Sequence, residues 1–207
     1  MKKLLLIPLF AILFCSISLA QDSETPKEKK WEFGADMNMY FYPGDFVGLP
    51  VFRADRNKLH LEARYNYEDL KTVSAWIGYN FKGGNEFEYF ITPMIGAVAG
   101  NTNGFAPGLE FTFNYKGFEL YNESEYMVDV NSKESNFFYT WTDFSYSPKD
   151  WLWFGLSAQS TQMYQENTEF ESGFLLGTGY KNFELTGYYY NPGSDRHYGL
   201  LTLSVSF

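Results

Sequence analysis

The segment that most constrains the fold is Tyr198–Phe207, because its side chains alternate between two kinds. Leu201, Leu203, Val205 and Phe207 are apolar, and the residues between them are threonine or serine. Successive side chains of an extended strand point to opposite faces, so the segment predicts a strand with one apolar and one small polar face. A strand at the edge of a sheet leaves its backbone groups unpaired. We therefore expect it to pair with the first strand of the chain and to close a barrel.

The composition favours a barrel that is apolar on the outside. Aromatic residues make up 21% of the chain, with 17 Tyr and 21 Phe, and membrane barrels carry such an excess in two interfacial girdles. The mean hydropathy is −0.32, and after the amino terminus there is no apolar run long enough for a transmembrane helix. A soluble sandwich or lipocalin-like barrel also has alternating strands, but it would have to bury nearly all these aromatic rings in one small core.

The same alternation runs along the chain from Trp31 and predicts twelve strands. The first three are Trp31–Phe41, a weaker strand over Leu49–Asp55, and Leu59–Glu68. The others lie near 72–81, 86–99, 104–115, 117–128, 136–147, 150–161, 169–180, 182–191 and 197–207. Short turns follow the even-numbered strands and longer polar loops follow the odd ones. The predicted fold class is all-β: an antiparallel transmembrane β-barrel, with twelve strands favoured over ten, short periplasmic turns and modest extracellular loops.

Residues 1–20 are predicted to be a cleaved signal peptide. Lys2 and Lys3 form its basic start, Leu4–Phe14 its apolar core, and Ala20 ends a small-x-small cleavage site. The alternative is a lipoprotein signal acylated on Cys15, which the bulky residue before that cysteine disfavours.

Gln21–Lys30 is predicted to be a flexible polar leader, and residues 31–207 the barrel. Cleavage after Ala20 would remove Cys15, the only cysteine, so neither disulfides nor thiolate metal sites are expected.

The signal segment, the twelve alternating strands and the terminal Phe207 together resemble the small outer-membrane β-barrels of Gram-negative bacteria over Trp31–Phe207. These markers are specific for the class and carry no information about the individual member. The resemblance implies a location in the bacterial outer membrane, contact with membrane lipid, and insertion by the barrel assembly machinery.

The face opposite the apolar one should line the lumen, and it is acidic. The residues predicted to line a pore are Asp36, Glu62, Arg64, Glu110, Glu119, Glu123, Glu125, Trp141, Asp143, Trp153 and Glu171. Surplus negative charge on a low-dielectric wall attracts cations, so we expect a narrow passive channel for cations or small neutral polar solutes. The net charge of −9 disfavours nucleic acid as a partner.

Two features of the inner face favour an alternative, a structural or surface-binding barrel with a plugged lumen. Arg53 and Arg64 are expected to tie neighbouring carboxylates into an ion-pair network that fills the interior. Inward aromatic rings such as Trp141 and Trp153 would narrow the lumen further.

A second alternative is an enzyme that hydrolyses lipid or glycan. Glu123 and Glu125 share one strand face, as paired carboxylates of glycosidases can, and His60 points inward. The outward face shows no serine paired with a histidine, and the chain has no phosphate loop, metal spacing or nucleophile motif. We therefore expect no catalytic residue, metal or cofactor, and no enzymatic activity. Changing Glu119, Glu123 and Glu125 to Gln should lower cation selectivity and leave folding largely intact.

Overall fold

The computed structural model describes residues 30–207. The predicted signal peptide and nearly all of the predicted leader lie outside this range. The strands are β1 (Glu32–Tyr42), β2 (Asp45–Arg56), β3 (Leu59–Tyr65), β4 (Val73–Tyr79), β5 (Phe81–Gly84), β6 (Phe87–Ala99), β7 (Gly104–Tyr115), β8 (Phe118–Asp129), β9 (Phe137–Lys149), β10 (Leu152–Met163), β11 (Glu169–Tyr180), β12 (Phe183–Tyr190) and β13 (Tyr198–Ser206). A short 3-10 helix, Lys133–Ser135, lies between β8 and β9. Residues 30–207 contain no helix that is long and apolar enough to cross a membrane.

The strands form one closed antiparallel barrel of twelve strands, as predicted. There are twelve because β4 and β5 are two parts of one barrel strand that is interrupted at Asn80, and both pair with β6. Each strand otherwise pairs with its neighbours in sequence. The ring of paired strands is therefore closed, although β5 pairs with β6 alone.

The closing contact joins the first strand to the last one. The register of β1 with β13 runs from Gly34 opposite Ser206 to Phe41 opposite Gly199. Just before this register, Phe33 and Phe207 exchange two backbone hydrogen bonds of 2.9 Å, and their rings stack at 6.0 Å. The prediction that the terminal segment closes the barrel is confirmed.

The two faces of the wall differ as the alternation predicts. On β11, Phe174 and Leu176 are more than half exposed, whereas Leu175 between them is 4% exposed. Exposed aromatic side chains lie near the strand ends that join the short turns: Tyr79, Phe81, Phe87, Tyr115, Phe118, Phe144, Tyr146, Tyr180 and Phe183. Such a girdle of aromatic side chains beside an aliphatic belt is typical of the surface that a membrane barrel presents to lipid.

Two predicted boundaries were wrong. The loop expected after the first strand is a tight turn at Pro43-Gly44, because β2 begins at Asp45 and Gly44 adopts a φ of +84° that favours glycine. The third strand ends at Tyr65, because Asn66 has a φ of 59° and interrupts the extended backbone. Alternation stops there.

Two buried apolar clusters occupy much of the interior in the half nearer the loops. One buried cluster contains Tyr40, Leu49, Trp141, Tyr190, Tyr198 and Leu200, and we call it the tyrosine cluster. A second contains Trp76, Met94, Val98, Ala106 and Met127. A Cβ atom added to Gly96 would lie 2.5 Å from the Trp76 ring, so this glycine makes room for the indole. The larger polar part of the interior lies nearer the turns, and a few polar side chains such as Gln159 also border the tyrosine cluster.

Candidate functional site

A cavity of about 410 Å³ occupies the polar part of the interior, and we call it the lumen cavity. It extends to Ser147 and Asp150, at the end of the barrel that carries the short turns. Nine of the predicted pore residues line it: Asp36, Glu62, Arg64, Glu110, Glu119, Glu123, Trp141, Asp143 and Trp153. Neighbouring strands supply them because each contributes every second side chain to the inside.

Arg64 on β3 forms the centre of an ion-pair network that crosses the lumen. Its Nε donates to Glu62 Oε2 at 2.7 Å, and its Nη1 donates to Glu123 Oε1 at 2.5 Å. Weaker contacts reach Glu125 Oε2 at 3.3 Å and Glu110 Oε1 at 3.4 Å. The Arg64 side chain is 1% exposed, so we expect this network to narrow the lumen.

Two aromatic rings hold the guanidinium in place. The Arg64 Cζ atom lies 4.5 Å from the ring centres of Tyr67 and Trp76, a distance at which a cation is attracted to a ring face. Tyr67 also donates from its hydroxyl to Glu123 Oε2 at 2.7 Å. Parity predicted Tyr67 on the outer face, but the turn at Asn66 brings it inside.

Other polar groups of the lumen cavity form contacts that do not involve Arg64. Arg53 pairs with Asp36 on the adjacent strand β1. Asp143 accepts hydrogen bonds from Trp141 Nε1 at 2.7 Å and from the Tyr188 hydroxyl at 3.0 Å. The predicted ion pairs around Arg53 and Arg64 are thus present, but they do not fill the interior, because the lumen cavity lies beside them.

Two predicted pore residues do not line the lumen cavity. Glu125 is 2% exposed, and its Oε2 accepts a hydrogen bond of 3.3 Å from Arg64 Nη1. Glu171 lies close to the loops, where it accepts a hydrogen bond of 2.6 Å from the Tyr198 hydroxyl. Parity placed both side chains on the correct face, but it could not give their depth in the barrel.

His60 is buried at the inner face of β3, next to Glu62. Its Nδ1 lies 2.9 Å from Asp55 Oδ1, and its Nε2 lies 3.2 Å from Glu62 Oε1. A carboxylate of Glu110 on β7 is close to both, with ligand atoms of the three residues within 4.8 Å of one another. The sequence placed His60 and Glu62 on the inner face of one strand but did not indicate this group, because Glu110 comes from a strand that is distant in sequence.

The outer wall carries a polar patch that the sequence analysis missed. Asn122 and Ser124 on β8 and Thr140 and Thr142 on β9 form hydrogen bonds of 2.8–2.9 Å with one another. These bonds satisfy the polar groups within the wall, which the absence of water in a lipid phase requires. In the part of the chain that the structure describes, neither histidine adjoins this patch: His60 is inside, and His197 lies in the loop before β13.

No family model and no curated protein matches the chain. Solved structures do match. The KdgM porin aligns with a TM-score of 0.63 at 12% identity over 84% of this chain and 99% of the porin, and the KdgM porin in complex with disordered oligogalacturonate gives 0.59 at 9% over 84% and 98%. The NanC porin gives 0.58 at 11% over 84% and 98%. These structures share the fold of this chain, which is that of a small porin-like β-barrel, as predicted.

Proposed function

We propose that the barrel is a narrow passive channel that favours cations or small neutral polar solutes. The observation that carries this proposal is the charge of the lumen cavity. Eight carboxylates line the cavity against two guanidinium groups, those of Arg53 and Arg64. The carboxylates are those of Asp36, Glu62, Glu110, Glu119, Glu123, Asp143, Asp150 and Glu184. In a low-dielectric wall such a surplus concentrates cations and excludes anions.

The porin fold supports a channel, but the lining of this barrel argues against one particular solute. The oligogalacturonate found with the KdgM porin carries carboxylates, and an acidic wall would repel it. Oligogalacturonate is therefore not the expected solute of this chain. Neutral polar solutes could instead hydrogen-bond to Asn38, Ser145, Thr186 and Thr202 of the cavity wall.

We expect a small conductance, because the route from the lumen cavity toward the loops is obstructed. Arg64 and Tyr67 lie across it, and the tyrosine cluster fills the space beyond. Twelve strands are intermediate between the eight-stranded barrels that side chains fill and the sixteen-stranded porins that enclose water. Ion passage would then require these side chains to move.

The test is the reversal potential of the purified barrel in a planar bilayer under a salt gradient. We expect cation selectivity in the parent protein and reduced selectivity in the Glu119→Gln/Glu184→Gln double variant, because both side chains line the lumen cavity. The matched control is Glu166→Gln/Glu169→Gln, which removes the same charge from exposed positions near a loop. Anion selectivity in the parent, or equal selectivity in both double variants, would contradict the proposal.

A sealed barrel with a structural or surface-binding role is the second candidate. The observation that favours it is the pair of apolar clusters that fill the half of the interior nearer the loops. The same bilayer experiment separates the two candidates, because a sealed barrel inserts without carrying current.

We also propose that the barrel is not an enzyme. Glu123 and Glu125 both accept hydrogen bonds from Arg64, which holds them as partners of a cation and not as an acid and base that flank a substrate. A phospholipid- or glycan-hydrolysing activity of the purified barrel that disappears in His60→Ala would overturn this proposal.

A further inference from the structure

Three side chains with metal-binding chemistry converge beside the lumen cavity: His60, Glu62 and Glu110. The first two are two residues apart on β3 and share its inner face, and the third comes from β7. One ligand atom of each lies within 4.8 Å of the others. His60 is 3% and Glu62 5% exposed, so the group is closed to bulk water on the side of β3.

Two atoms of this group are buried without a hydrogen bond. In residues 30–207, four buried side-chain atoms lack a hydrogen-bond partner, and His60 Nε2 and Glu62 Oε1 are two of them. Buried polar atoms are otherwise nearly always paired, because an unpaired one costs about 1–3 kcal/mol. The two atoms lie 3.2 Å from each other, a contact that is an ion pair only when both ring nitrogens carry a proton.

The other atoms of the two side chains are already committed. His60 Nδ1 lies 2.9 Å from Asp55 Oδ1, and Asn80 Nδ2 donates to the same oxygen at 2.6 Å. An ionised carboxylate only accepts, so Nδ1 carries a proton, and in its neutral form the ring presents a lone pair at Nε2. A histidine that donates one N–H to a carboxylate and presents its other nitrogen is the usual arrangement of a metal ligand.

The separation of the two unpaired atoms suits a metal ion between them. Zinc binds nitrogen and carboxylate oxygen at about 2.0–2.2 Å with tetrahedral angles, which places two ligand atoms roughly 3.3 Å apart. With a neutral ring and no cation, the lone pairs of Nε2 and Oε1 would repel each other at 3.2 Å, whereas an imidazolium would donate from Nε2 to Oε1. Each glutamate also has an oxygen to spare, since Arg64 contacts Oε2 of Glu62 and Oε1 of Glu110.

The surrounding charge favours a cation despite the nearby arginines. Six carboxylates belong to this part of the wall and face only two guanidinium groups; they are Asp36, Asp55, Glu62, Glu110, Glu123 and Glu125 against Arg53 and Arg64. A divalent ion would offset part of this surplus.

We propose that His60 Nε2, Glu62 and Glu110 bind one divalent transition-metal ion, with Zn²⁺ as the best match. One imidazole and two carboxylates suit zinc and its neighbours better than Ca²⁺ or Mg²⁺, which prefer oxygen ligands throughout. Three protein ligands leave a fourth position for water or a solute, and Glu62 and Glu110 also line the lumen cavity. The site does not depend on whether the barrel conducts.

The experiment uses the untagged barrel, refolded in detergent, stripped with a chelator and then titrated with Zn²⁺ or Co²⁺. We expect one metal ion per chain by elemental analysis and a Co²⁺ visible spectrum with the intensity of a four-coordinate site. His60→Ala and the near-isosteric Glu110→Gln should each abolish stoichiometric binding. Asp55→Asn, which acts only through His60, should weaken it by roughly 10–100-fold.

The matched controls are His197→Ala, which removes the other histidine of the chain, and Glu119→Gln, which removes a cavity carboxylate that is not one of the three proposed ligands. Both should bind like the parent, and heat-modifiable gel migration should show that every variant is folded. Absence of stoichiometric binding to the parent would overturn the proposal and leave His60 as an imidazolium paired with Asp55 and Glu62. Equal binding by folded His60→Ala would overturn it as well.

Discussion

The guanidinium of Arg64 on β3 lies 2.5 Å from the carboxylate of Glu123 on β8, although β4, β6 and β7 separate the two strands in the wall. This contact therefore braces the barrel across its lumen. Both partners are buried, so removing one leaves the other as an unpaired charge in the interior. The free energy of unfolding then falls by far more than the pair itself contributes to it.

Arg64→Met should destabilise the folded barrel by about 3–5 kcal/mol, because it leaves several buried carboxylates without their cation. The measurement is denaturant-induced unfolding of the refolded barrel, followed by tryptophan fluorescence. Lys149→Met, at an exposed position, is the control for losing one positive charge. A loss below about 1 kcal/mol for Arg64→Met would show that the network carries no structural role.

Glu123→Gln and Glu119→Gln should differ, although the sequence suggested that both could be changed without loss of stability. Glu123 accepts hydrogen bonds from Arg64 and Tyr67, so we expect its substitution to cost about 1.5–3 kcal/mol. Glu119 lines the lumen cavity outside the Arg64 network, and its substitution should change stability by less than about 0.5 kcal/mol. Equal unfolding free energies for the two variants would refute this distinction.

Gly96→Ala should destabilise the barrel by about 1–3 kcal/mol, because the added methyl group would lie 2.5 Å from ring atoms of Trp76. Gly187→Ala is the matched control, since its Cβ would meet no atom closer than 3.9 Å. Chemical unfolding of both variants is the measurement. If Gly96→Ala unfolds at the same denaturant concentration as Gly187→Ala, the Trp76 ring is not tightly packed there.

The number of strands and the inward or outward direction of most side chains could be predicted, because both depend on a period of two that is local in sequence. The depth of a side chain in the barrel could not be predicted from the sequence. Glu125 and Glu171 both point inward, yet Glu125 contacts Arg64 and Glu171 contacts Tyr198 near the loops. That difference depends on strand tilt and stagger, which no single strand encodes.

The candidate site itself was only half visible in the sequence. His60 and Glu62 share a strand, but Glu110 meets them through the topology of the closed barrel. Tyr67 enters the lumen because the backbone turns at Asn66, where a left-handed φ in a non-glycine residue interrupts the alternation. Asparagine tolerates that conformation better than most residues, so the position was a signal that parity alone overlooks.

Asp129→Ala should loosen the two neighbouring loops without unfolding the barrel. Its carboxylate accepts backbone hydrogen bonds from Asn131 at 2.7 Å, Ser132 at 2.8 Å and Asn103 at 3.2 Å. We expect cleavage within residues 130–136 to become several-fold faster in limited proteolysis. Asp195→Ala, in the loop before β13, should leave that cleavage rate unchanged. Identical digestion of the Asp129→Ala variant and the parent would argue against the anchoring role.

Tyr40→Ala/Leu200→Ala should raise the single-channel conductance several-fold, because both side chains belong to the tyrosine cluster and are at most 7% exposed. Their truncation opens space in line with the lumen cavity, and water can enter that space because polar groups such as Gln159 and the Tyr190 hydroxyl border it. The control is Phe174→Ala/Leu176→Ala, which removes apolar volume from the lipid-facing side of β11.

The three results that this pair of variants can give have different physical meanings. A rise in conductance only in the inner variant places the constriction at the tyrosine cluster. Current in the inner variant and none in the parent would identify the cluster as a plug and favour the sealed barrel. Unchanged conductance, with heat-modifiable migration preserved, would indicate that the constriction lies at Arg64 and Tyr67. There the guanidinium, held by Glu123 and the Tyr67 ring, would be the remaining obstruction.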